Sequence, residues 1–273
     1  MSLDEEPLDR FLNRPLARWA ARILKPTPIT ANQVSAFAGL LGVLAGMAMG
    51  LGTPAALILA AILLWGQLVF DCADGELARL RGGGGWTGQV VDGLFDYVVA
   101  IAIHVGLWVL MAKTPGWRHE PWYVIGSVVA LAGFSMALHS ALFDAAKQSF
   151  RAKLGKSTGW SEDPERLREK VRQGGSLLER LLLPFYGSYT HSQRRFAAWV
   201  GPNGAPTQGS FLVWSVLGPT FRVSLLVLVL VACLWSPRAI GLYPLFGGVI
   251  ANLFLVLLVV GARRRRNSMP AET

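Results

Sequence analysis

The chain has 273 residues, 52% of them apolar and only 16% charged, which excludes an ordinary soluble domain, where about a quarter of residues carry charge. Its formal charge of +9 gathers beside apolar runs, which argues for membrane topology and against nucleic-acid binding. Cys72 and Cys233 both lie in apolar surroundings, so no disulfide framework is implied.

The start, MSLDEEPLDR, is acidic and the first apolar run begins late. No cleavable signal peptide is therefore expected, and the first span serves as its own targeting signal. Leu8, Phe11, Leu12, Leu16, Trp19, Ala20, Ile23 and Leu24 recur at helical spacing with arginines opposite. This pattern predicts an amphipathic helix, lying either in the membrane interface or on the protein's own cytosolic surface. Asn13 and Pro15 are expected to restart it, as cap and first-turn residue. Thr30 is the expected cap of the first span.

Six membrane-length apolar runs follow: Gln33–Leu51, Pro54–Phe70, Val90–Met111, Tyr123–Phe143, Leu212–Trp235 and Ile240–Ala262. Lys and Arg crowd the start, the second and fourth links and the tail, whereas the other links hold only Lys113, Arg118 and Arg238. That asymmetry predicts an all-α, multi-pass integral membrane protein of six spans with both termini cytoplasmic.

The chain then divides into a juxtamembrane segment at 1–32, four spans at 33–145, a polar cytosolic insertion at 146–209, two spans at 210–262 and a basic tail at 263–273. Within the insertion a helix is predicted from Asp163 to Gln173, capped by Asp163 or Ser161. An amphipathic run follows at Leu177–Leu183, then a basic cluster with His191, Arg194 and Arg195. The insertion is expected to bear on the acceptor or to form a membrane-surface or dimer contact. Arg222, inside the fifth run, reads as an anion ligand, a partner for an aspartate or a snorkelling side chain. His104 and His139 read as hydrogen-bonded packing residues, Cys72 as packed against a neighbouring helix, and Arg263–Arg266 as an anchor on anionic lipid.

The ends of the second and third runs hold the chemistry. The string DCADGELARLRGGGGWTGQVVDGLFD reads D-x-x-D-G-x-x-A-R, eight residues, then G-x-x-x-D-x-x-x-D. A carboxylate at mid-membrane costs roughly 2.5–3.5 kcal/mol on insertion scales, so four together call for a common partner. Asp71, Asp74 and Ala78 share one helix face, with Gly75 and Arg79 one step round. Gly88, Asp92 and Asp96 recur every fourth residue on the next helix. Two antiparallel helices joined by Arg81–Gly85 can therefore point four carboxylates into one cleft, with Gly75, Ala78 and Gly88 leaving room for a ligand. Hard oxygen ligands favour Mg2+ or Mn2+ over zinc. Divalent ions held by the carboxylates would neutralise a pyrophosphate, a remaining carboxylate could accept a proton, and Arg79 could face a phosphate or hold a carboxylate. The competing class is a divalent-cation transporter, against which the carboxylates cluster at one membrane edge with no partners on the last two spans.

At these residues the chain resembles the CDP-alcohol phosphotransferase family, matching all eight signature positions. The segment Ala31-Asn32-Gln33-Val34-Ser35 echoes the family's amino-terminal motif, with Ala31 where proline is usual. The resemblance implies transfer of a substituted phosphate from a CDP-linked donor to a hydroxyl, releasing CMP, an activity of the EC 2.7.8 type. It implies that Asp71, Asp74, Asp92 and Asp96 bind two Mg2+ or Mn2+ ions and that Asp96 is the catalytic base. Asn32, Asp74, Gly75, Ala78, Arg79 and Gly88 would shape the nucleotide site. It further implies a homodimer with its site open to the cytoplasm, here expected in a bacterial inner membrane. The expected donor is CDP-diacylglycerol and the acceptor a polar alcohol such as inositol, inositol phosphate, serine or glycerol phosphate. The reverse partition, a soluble CDP-alcohol donor and a lipid hydroxyl, shares the motif.

Overall fold

A computed structural model describes residues 5–83, 85–156, 164–200 and 206–268, and every regular element among them is helical. A wide π-helical turn at Asp9–Asn13 runs straight into α1, Arg14–Leu24. Pro15 does stand in the first turn of α1, but Asn13 is helical and donates to Asp9 Oδ1 at 2.9 Å instead of capping. The expected restart is thus absent, because the widened turn absorbs the hydrogen bond that proline cannot donate. α1 lays Ala17 and Ala21 against Val34, Ala73 and Leu77 and turns Leu16, Trp19 and Ile23 outward, as the π-helical turn does Phe11 and Leu12.

Four long helices follow: α2 (Ala31–Leu51), α3 (Pro54–Leu80), α4 (Trp86–Lys113) and α5 (Trp122–Lys153). Each is long and apolar enough to cross a membrane. Thr30 caps α2 as expected: its Oγ1 accepts the Gln33 N–H at 3.3 Å, while Gln33 Oε1 accepts the Thr30 N–H at 2.8 Å. α2 packs against both α3 and α4. At the α2–α4 crossing Gly46 meets Gly106 backbone to backbone, and a Cβ on either would strike the other helix's main chain. Apolar side chains of α2, α3 and α4 fill the main core with Ile125, Leu226, Leu230, Ile240 and Tyr243.

The fifth apolar run is not one straight helix. It forms α8 (Gln208–Trp214), a tight turn at Ser215–Leu217, and α9 (Pro219–Ala232), the pair bent by 51°. Pro219 cannot donate to the preceding turn, and Gly218 leaves the helical region there. The sixth run is likewise assembled from a 3-10 turn (Pro237–Gly241), α10 (Leu242–Leu245), a π-helical turn (Phe246–Ile250) and α11 (Ala251–Ser268). Together they form another membrane-length helix, giving five candidate spans, or six if the bent pair counts as one.

In the polar insertion, α6 (Pro164–Gly174) agrees with the helix expected there, although the proposed caps Ser161 and Asp163 lie outside the described residues. α7 (Leu177–Val200) runs well past the amphipathic stretch expected at Leu177–Leu183 and through the basic cluster. Leu167 and Val171 of α6 and Leu182 and Tyr186 of α7 close over Trp86 and Val90 at the start of α4.

Candidate active site

The site forms where α3 ends and α4 begins. α3 stays helical well past its apolar stretch, carrying Asp71 and Asp74 round to the side facing α4. Gly82 and Gly83 then turn the chain back with φ of 100° and 103°, a region open to glycine. Asp92 returns on the second turn of α4. Carboxylate oxygens of Asp71, Asp74 and Asp92 all lie within 4.8 Å of one another. Asp74 is buried, Asp71 and Asp92 are half-buried, and Asp96 is exposed one turn further along. Asp96 lies close enough to Asp71 and Asp92 for their charges to interact. Three mutually repelling carboxylates in this volume, all hard oxygen donors, fit a divalent cation such as Mg2+ or Mn2+.

The other residues predicted for the site fall into two groups. Asn32 joins it: its Oδ1 would stand 3.3 Å from a Cβ built on Gly88, so glycine there lets α2 and α4 close up. Ala78 is half-buried on the Asp71–Asp74 face. Arg79 instead reaches back over Gly75 and pairs with Glu76 at 3.1 Å. Glu76 also gathers Arg14 at 2.8 Å and Arg18 at 3.5 Å, tying α1 to the end of α3. Arg81 completes that tie by donating to the carbonyls of Leu24, Lys25, Thr27 and Ile29.

Ser35 is a contributor the sequence did not single out as a site residue. It is buried one turn after Asn32, and its hydroxyl donates to Asp74 Oδ2 at 2.5 Å. The available signals were its place at the end of the Ala31–Ser35 segment and its three-residue spacing from Asn32.

The amino-terminal segment is a second unforeseen neighbour. Asp9 Oδ2 accepts from Thr220 Oγ1 at 2.9 Å, and its Oδ1 lies 3.7 Å from Cys72 Sγ. Its charge reaches Asp71. Glu6, fully buried, accepts the Phe221 N–H at 3.2 Å in the first turn of α9. Burial, with Asp9 next in importance, pushes the Glu6 carboxyl up to about 8. Cys72 itself packs beside α1, as expected.

Arg222 does not snorkel to the interface. It is buried, and its guanidinium donates to the Met136 carbonyl and the Ser140 hydroxyl of α5. The histidines behave as expected: His104 Nδ1 meets the Ala100 carbonyl at 2.7 Å and His139 Nε2 meets Asn252 Oδ1 at 3.1 Å.

Comparison with known proteins adds one finding. Residues 28–160, which contain every aspartate of the cluster, match the family model described as CDP-alcohol phosphatidyltransferase. None of the curated proteins compared with the chain matches it.

Proposed function

Residues 28–160 belong to the CDP-alcohol phosphatidyltransferase family, a phosphotransferase family of the EC 2.7.8 type, and from this premise we propose that the protein makes a phospholipid. It moves the phosphatidyl group of CDP-diacylglycerol to the hydroxyl of a small polar alcohol at the cytoplasmic face of the membrane. The observation that carries this reading is the meeting of Asp71, Asp74 and Asp92 within 4.8 Å on two membrane-length helices, with Asp96 open beyond them.

Asp71, Asp74 and Asp92 would hold Mg2+ or Mn2+, assisted by Asp96. Bound there, such ions supply charge neutralisation at the attacked phosphorus and at the leaving oxygen. Ser35 fixes the orientation of Asp74 by donating to it. Asp96 accepts the acceptor's hydroxyl proton on a carboxylate oxygen. The hydroxyl oxygen then bonds to the β-phosphorus, the bond from that phosphorus to the bridging oxygen breaks, and CMP leaves with the electron pair. Asn32, Gly75, Ala78 and Gly88 line the nucleotide side, where small residues let the donor approach the helices. Arg79 sits at that edge and can turn from Glu76 toward a phosphate. The outward stripe of α1 lies in the membrane interface, and the family resemblance implies a homodimer.

The test is metal-dependent CMP release by purified protein given CDP-diacylglycerol and a panel of alcohols, with the lipid product read by mass spectrometry. We expect release with one alcohol and none without divalent metal. Release only from soluble CDP-alcohols with diacylglycerol would reverse the roles of donor and acceptor. No release with any CDP-linked donor would remove the enzyme reading.

A further inference from the structure

Residues 146–209 carry eleven Lys and Arg against five Asp and Glu, a net +6 of the chain's +9, and the proposed chemistry uses none of them. The fold gives this charge a position. Trp86 and Val90, one helical turn apart, form a strip along the side of α4, and Leu182 and Tyr186 of α7 pack on that strip. α7 therefore lies beside the end of a membrane-length helix rather than above it. It also runs against α5 and α11. Nothing in this placement depends on the reaction catalysed.

α7 carries a second apolar face, away from Leu182 and Tyr186. Leu177, Leu181 and Phe185 recur every fourth residue and are 74%, 60% and 57% exposed. Exposed Arg180 borders this stripe, and beyond it the same face turns polar with Ser188, Ser192 and Arg195. Arg166, Arg168, Lys170 and Arg172 of α6 are exposed alongside. We propose that the first half of α7 is an interfacial helix. It sinks Leu177, Leu181 and Phe185 among the acyl chains of the leaflet on the aspartate side, while α6 and Arg180 bind anionic headgroups. Two features favour lipid as the occupant: the side-on seat at the end of α4 and the complementary charge. A symmetric contact between two copies through this stripe would instead bring Arg180 and the α6 cations toward their own duplicates.

The experiment uses the full chain reconstituted in vesicles of phosphatidylcholine with a minority of phosphatidylglycerol. Leu181→Cys, Phe185→Cys and Arg172→Cys variants are labelled with an environment-sensitive nitrobenzoxadiazole. The native chain serves as blank, since Cys72 is half-buried and Cys233 buried. Labels at 181 and 185 should be quenched by phosphatidylcholine spin-labelled high on its acyl chain and shielded from aqueous iodide. The label at 172 should behave the opposite way. Arg166→Glu, Lys170→Glu and Arg172→Glu together should lower lipid quenching at 181 by about two-fold in these vesicles. Equal iodide quenching at 181 and 172 would overturn the proposal, as would thiol cross-linking of two copies of the Leu181→Cys variant without lipid quenching. No effect of charge reversal would overturn the headgroup contact.

Discussion

Asp96 differs from the other three aspartates in being exposed, one helical turn past Asp92 and outside the tight carboxylate triad. A base needs an open side toward its substrate, so Asp96→Asn should lower turnover by about 100- to 10,000-fold while leaving binding of CDP-diacylglycerol near its original level. Turnover within about ten-fold of the original would remove Asp96 from that role. Ser35 acts one contact further out. Ser35→Ala removes the 2.5 Å hydrogen bond to Asp74 and should weaken the apparent metal affinity by about 10- to 100-fold, read from metal titrations of CMP release. A Ser35→Thr variant, which keeps the hydroxyl, should recover most of that loss. The aspartates were legible in the sequence because their spacing of three and four fixes one helix face. The role of Ser35 was not, although the residue ends the Ala31–Ser35 segment, since its partner lies 39 residues away. The acceptors of Arg222 were hidden for the same reason, being supplied by another helix.

Among elements, the four long helices, α6 and the start of α7 follow from apolar runs and helical spacing, and Thr30 marks the start of α2. The run at 212–235 was read as one span because hydropathy averages over Gly218-Pro219, whereas the backbone responds to those two residues locally. The contact of the amino-terminal segment with α9 left no trace in the sequence, as it pairs residues more than 200 positions apart. That contact should respond to pH. Glu6 titrates at about 8 when docked, above its ordinary 4.5, so the docked state retains a proton that the free segment gives up between those values. Docking is therefore strongest below about pH 4.5, weakens as the pH rises to about 8, and levels off beyond. Asp9 faces Glu6 and steepens this slope, whereas Lys147 and Arg222 face it and temper it. Glu6→Gln mimics the protonated form. The melting temperature of the original protein minus that of the variant should thus fall across this window, and a flat difference would contradict the docked burial of Glu6.

At the scale of the whole molecule, the charge asymmetry and the helix count argue for a fixed orientation. Lys156 follows α5 and His119 precedes it, and both are exposed. An impermeant maleimide should therefore label Lys156→Cys only from the cytoplasmic side and His119→Cys only from the opposite side. The reverse result would put the aspartates on the wrong face of the membrane for a cytoplasmic CDP-linked donor. Orientation also bears on how the molecule comes into being. Glu6 and Asp9 are synthesised well before their partners Thr220 and Phe221, which leave the ribosome some 200 residues later. At about 5–20 residues per second, that is a wait of roughly 10–40 seconds. During that interval the aspartate-bearing helices are already made, while the acidic segment that borders them still lacks its partners on α9. The site is thus closed last, by an event that reports completion of α9, and a chain cut short before Thr220 would keep all four aspartates without their amino-terminal border.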